Sequence, residues 1–112
     1  MRIDFCIRSN TMRFMYTIKP LPEFSDWLAS LKDPLTRARL VRRLEKVGRG
    51  LLGDIEPVGE GVSEMREHFG PGWRMYYIER NGALIVMLGG GDKATQRADI
   101  AKAISLARTI EE

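Results

Sequence analysis

The amino-acid sequence predicts an α+β domain in the order β-α-α-β-β-β-α: a small antiparallel sheet with an N-terminal helical hairpin and a C-terminal helix. Three patterns point to it. Apolar residues recur at helical spacing before Gly53. Alternating or continuous apolar runs separated by glycine-rich turns follow, and helical spacing returns after Gly91. At 112 residues, 44% hydrophobic and 29% charged, the chain is long enough for one core and too short for two.

Residues 15–19, Met-Tyr-Thr-Ile-Lys, alternate weakly and read as a first strand. Residues 1–14 read as an N-terminal extension, and residues 15–112 as the single domain. Ser9-Asn10-Thr11 resembles a turn, and Met12 or Met15 would serve as a start for the same domain. Pro22 suits the first turn of a helix, where a missing N–H costs nothing, and Phe24, Trp27, Leu28 and Leu31 make one apolar stripe. Asp33-Pro34 ends that helix and begins another, with Asp33 as N-cap. Leu40, Leu44, Val47 and Leu51 supply its buried face, and Gly48 or Gly50 its C-cap.

Residues 54–61 combine Pro57, Gly59 and Gly61 with Asp54, Glu56 and Glu60, and read as a loop. Two alternating runs, 62–69 and 73–80, flank Gly70-Pro71-Gly72. Asn81-Gly82 is a strong hairpin signal, and the apolar run 83–88 suits a central strand covered on both faces. Gly89-Gly90-Gly91 is expected to end that strand. From about Thr95, Ile100, Ile104 and Ala107 mark the last helix.

No apolar stretch approaches the eighteen or so residues of a membrane span, and the N-terminus lacks a secretory pattern. The single cysteine, Cys6, cannot form an internal disulfide, so a cytoplasmic setting without membrane contact is expected. A net charge of +3 is too small to argue nucleic-acid binding alone. Its distribution is more informative. Between Asp33 and Gly50, Arg37, Arg39, Arg42, Arg43, Lys46 and Arg49 face only two acids. That run is either a solvated helix face or a footprint for a polyanion or acidic partner, with Arg37, Arg39, Arg43 and Lys46 as the contact residues.

If Pro71 centres the hairpin, His68 faces Arg74 and Arg66 faces Tyr76. Glu64, Arg66, His68, Arg74 and Tyr76 then share one sheet face, and Met65, Phe69, Met75 and Tyr77 the other. The polar face is either the wet side of the sheet or an anion site. Two neighbouring arginines repel unless a phosphate or a carboxylate, such as that of Glu64 or Glu67, lies between them. His68, the sole histidine, is either a surface group or a proton acceptor. One histidine without a second soft ligand does not suggest a metal site. Gly89-Gly90-Gly91-Asp92-Lys93 lacks the P-loop spacing and is either a flexible connector or an anion-attracting helix start.

Several stretches then match one pattern in order: Phe24-x-x-Trp27-Leu28-x-x-Leu31-Lys32-Asp33, Arg37-x-Arg39-x-x-x-Arg43-Leu44, and Val58-Gly59-x-Gly61-Val62-x-Glu64-Met65-Arg66. Gly70-Pro71-Gly72-Trp73-Arg74 and Leu88-x-Gly90-Gly91-Asp92-Lys93-x-x-Gln96-x-x-Asp99-Ile100 complete it. The chain thereby resembles the HigB-like, phage-derived addiction-module killer proteins of the RelE/ParE toxin superfamily, from about residue 15 to 112. The resemblance implies a RelE/ParE-like fold and a type II toxin that cleaves mRNA on translating ribosomes and so inhibits translation. It implies neutralisation by a helix-turn-helix antitoxin, with operator DNA met only through the antitoxin complex.

The implied chemistry needs no metal or cofactor. A ribose 2′-OH attacks the adjacent phosphodiester, while Arg66, Arg74 and Lys93 stabilise the phosphorane and His68 or Tyr76 moves the proton. Gln96 joins the RNA- or partner-binding positions. Trp73 stands where relatives usually have tyrosine, and their tyrosine-bearing tail is absent, which leaves the general base unassigned. Two other readings stay open: a ParE-like gyrase poison without nuclease activity, and an inactive antitoxin-binding remnant.

Overall fold

The computed structural model describes residues 15–110, so the expected extension over 1–14, with Cys6, lies outside the described residues. The described chain runs β1 (Thr17–Pro20), α1 (Pro22–Ser30), α2 (Pro34–Gly48), β2 (Ile55–Gly59), β3 (Val62–Arg66), β4 (Trp73–Arg80), β5 (Leu84–Asp92), a 3-10 turn (Lys93–Thr95) and α3 (Gln96–Ala107). Pro22 and Pro34 occupy the first turns of their helices. Asp33 caps α2 as expected, its carboxylate accepting from the Leu35 N–H at 3.1 Å and the Thr36 hydroxyl at 2.9 Å. Gly50, at φ 93°, closes the other end, with its N–H on the Val47 carbonyl.

The five strands lie in the order β1-β5-β4-β3-β2. Four are antiparallel, but β1 runs parallel to β5, because the helical hairpin returns the chain to the sheet's far side. β2 replaces the expected loop. Its Pro57 and Gly59 are tolerable because it is an edge strand, paired on one side only.

Both faces are covered. Phe24, Leu40 and Val47 from the hairpin pack on Met65, Met75, Tyr77, Ile85 and Met87. On the other face Ala103 and Ala107 of α3 pack on Val62, Tyr76, Ile78, Val86 and Leu88. The polar sheet face, read from the sequence as either a wet side or an anion site, is largely roofed by α3. Leu51, expected in the α2 core stripe, lies past the helix end and is 59% exposed.

The triple glycine does not end β5 but continues it. Tyr76 pairs with Gly89 and Tyr77 with Met87, so Leu88 is the extra residue of a bulge. The bulge reverses the alternation, turning Gly90 to the hairpin face and Gly91 to the α3 face. A Cβ on Gly90 would lie 2.4 Å from the Trp27 ring, and one on Gly91 1.9 Å from Asp99 Oδ2. Glycine is present there for close packing rather than flexibility.

Candidate functional site

The hairpin between β3 and β4 is centred one residue earlier than its proline suggests. The Glu67 N–H bonds the Trp73 carbonyl at 2.9 Å, which puts Gly70, at φ 58°, at the centre. The two faces are those that alternation predicts, but the partners move by two residues. Arg66 stands opposite Arg74, and Glu64 opposite Tyr76, in place of the expected His68–Arg74 and Arg66–Tyr76 pairs. Direct cross-strand neighbours are about 5 Å apart, so the two arginines are closer than the shifted register implied.

Carboxylates keep them there. Arg74 is buried, with Nη1 donating to the carbonyls of Glu67 and Trp73 at 3.0 Å and Nε 3.9 Å from Glu64 Oε2. Glu64 is equally buried, and both its oxygens accept from Gln96 Nε2, at 2.9 and 3.1 Å. Gln96 thus faces inward as a pin between α3 and β3. Tyr76, expected opposite Arg66 on the polar face, is fully buried, and its hydroxyl has no hydrogen-bond partner among the described residues. Burial, then the charges of Glu64 and Asp99, push its phenol up and away from neutral-pH proton transfer.

Arg66 lies at the open end of the same face. Its Nη1 is 3.3 Å from Glu56 Oε1 and its Nε 3.7 Å from Asp54 Oδ2. The same Asp54 oxygen lies 2.7 Å from His68 Nε2. That hydrogen bond is the main influence holding the Asp54 carboxyl below its usual range; Arg66 adds to it and burial opposes it. Both carboxylates come from the stretch read as a loop. Their role was hidden because β2 itself was.

Lys93 reaches the site across the turn. A Cβ on Gly72 would sit 2.8 Å from Lys93 Cδ and 3.7 Å from Arg74 Nη1, so the missing side chain leaves room for the Lys93 stem beside Arg74. Asp92 caps the 3-10 turn behind Lys93 by accepting from the Ala94 N–H at 2.9 Å.

The basic face of α2 divides. Arg43 turns inward: Nη1 donates to Glu67 Oε2 at 2.6 Å and the Arg66 carbonyl at 2.9 Å, and Nη2 to the carbonyls of Leu52 and Asp54. Gly53 lets the chain pass over that guanidinium, since a Cβ there would meet it at 3.2 Å. Arg37 donates to the Leu31 carbonyl between the two helices. Arg39 stacks on Phe69, its guanidinium carbon 3.7 Å from the ring centroid. With Arg42, Arg43, Lys46 and Glu67 it lines a cleft of about 220 Å³. Arg37 and Arg43 thus spend donors on the scaffold, while Arg39 and Lys46 border this outward cleft.

No protein-family model matches the chain. A Haemophilus influenzae protein described as uncharacterized is 39% identical over 93 residues, covering 83% of this chain and 94% of that one. The RelBE2 toxin–antitoxin complex of Mycobacterium tuberculosis contains a chain similar in fold, with a TM-score of 0.58 and 20% identity. The match covers 70% of this chain and 99% of that one. The fold is RelE-like. No helix among the described residues is long and apolar enough to cross a membrane.

Proposed function

The chain belongs to the family of the Haemophilus influenzae protein, and from that premise and its RelE-like fold we propose that it is the toxin of a type II toxin–antitoxin system, acting as a metal-independent mRNA endoribonuclease. The observation that carries the reading is the cation set at the open end of the sheet. Arg66 stands opposite Arg74, and Lys93 is folded over Gly72 beside it.

Arg66 holds its carboxylates loosely and is the group best able to exchange them for a phosphate. Lys93 supplies a second, mobile charge, and buried Arg74 adds a fixed positive field from beneath. His68, at the rim, is the proton-transfer candidate that burial leaves accessible. The cleft bordered by Arg39 and Lys46 offers RNA, ribosome or antitoxin a basic approach. A ribosome that orients the RNA would supply much of the acceleration through proximity. The partner that restrains the activity is a cognate antitoxin of the helix-turn-helix type, and the setting is cytoplasmic.

Induction of the full chain in bacteria tests this. Growth should stop and recover on co-expression of the antitoxin, and primer extension should show new mRNA 5′ ends. Arg66→Ala should lower cleavage by about a hundredfold while leaving the fold intact by circular dichroism, as for loss of one electrostatic donor. Growth arrest with intact mRNA and broken DNA would instead support gyrase poisoning.

A further inference from the structure

Asp54 and His68 form a pair outside the set of cations, held by contacts from two elements. The Asp54 carbonyl accepts from the Arg66 N–H of β3 at 2.9 Å and from Arg43 Nη2 of α2 at 2.8 Å. Gly53, at φ 71°, allows the approach to Arg43 that sets this position. The backbone of Asp54 is therefore held by two donors, and its carboxylate projects to the rim, 2.7 Å from His68 Nε2.

An ionised carboxylate can only accept hydrogen bonds, so the 2.7 Å contact requires the proton on His68 Nε2. In the neutral ring Nδ1 is then the unprotonated nitrogen. The imidazole is 67% exposed, and Arg66 Nε lies 3.7 Å from the same carboxylate oxygen.

Resting on the nuclease reading above, we infer that Asp54 is a positioning residue, which holds His68 as the Nε2–H tautomer so that Nδ1 can take the proton of a ribose 2′-OH. As that proton moves to Nδ1, the O2′ electron pair forms the bond to phosphorus. The P–O5′ bond breaks, and O5′ takes a proton from solvent. The imidazolium formed is balanced by the Asp54 carboxylate until it returns its proton to water. Arg43 acts one step further back, through the backbone of Asp54 rather than through RNA.

The sole histidine makes the test direct, since the imaginable imidazole nitrogen signals all belong to His68. In ¹⁵N NMR of the full chain at neutral pH, Nε2 should show the protonated and Nδ1 the unprotonated signature. Asp54→Asn, whose amide can donate to Nε2, should move the pattern toward Nδ1–H, and Asp54→Ala should give mixed tautomers. Cleavage of a defined mRNA in a reconstituted translation reaction should fall about a hundredfold in His68→Ala and in Asp54→Asn. A wild-type tautomer mixture indifferent to Asp54 would overturn the positioning role. Full cleavage by His68→Ala or Asp54→Asn would also overturn it, while leaving the nuclease reading intact. A wild-type chain with the expected NMR pattern but no cleavage would sink the nuclease reading, and the proton-transfer role with it.

Discussion

Beneath the start of α3, Glu64, Arg74 and Gln96 form one polar cluster; at the β2 edge, Asp54, Glu56, Arg66 and His68 form another. They share a sheet face, and Arg66 and Arg74 are direct cross-strand partners. Yet the Arg74 side chain is 5% exposed and the Arg66 side chain 31%. Burial separates their roles. Arg74 is held by two carbonyls and a buried carboxylate, so removing it strands a charge. Arg66 has longer, solvated ion pairs that a ligand can replace at small cost.

The largest effect should separate the two arginines by stability. Arg74→Ala leaves Glu64 buried without its cation and should cost about 3 kcal/mol in chemical denaturation, as breaking a buried pair does. Arg66→Ala should cost under about 1 kcal/mol, in the range of exposed pairs. Equal losses would erase the distinction. Loss of activity in Arg74→Ala therefore has to be read at a temperature where that variant is folded.

A smaller effect belongs to the outer cluster. The native state holds the Asp54 carboxyl below its usual value, so its contribution to stability is complete above the unfolded carboxylate pKa. That contribution disappears as pH falls through the lower native value. Asp54→Asn should flatten this acid limb, measured as denaturation midpoint against pH. The smallest effect belongs to Tyr76→Phe, which removes a buried hydroxyl with no hydrogen-bond partner among the described residues and should leave stability unchanged or slightly raised.

The helices were the most legible part of the molecule, because their signals are local. Proline at the first turn and Asp33 before Pro34 act within a few residues. Strand β2 was not legible: Glu56, Pro57 and Gly59, flanked by Asp54 and Glu60, carry loop chemistry, and only pairing with β3 makes the strand an edge. Gly89-Gly90-Gly91 misled for a related reason. Flexibility is the local meaning of three glycines, whereas here Trp27 and Asp99, distant in sequence, occupy the space their side chains would take. The cations of the candidate site were visible as residue types. Their register and counter-charges were not, because both depend on the Gly70-centred turn and on β2.

The parallel seam between β1 and β5 bears on how the molecule is made. Thr17 leaves the ribosome early, but its partner Leu84 is translated only after both helices and three further strands. The strands β2 to β5 can pair with neighbours as they emerge, while β1 must wait for a long loop to close. The helical hairpin follows β1 directly, so its apolar face has no finished sheet to settle on until β5 appears. Until β5 is made the basic helix lacks its complete sheet, and Lys93, which follows β5, is the last of the three cations to join Arg66 and Arg74.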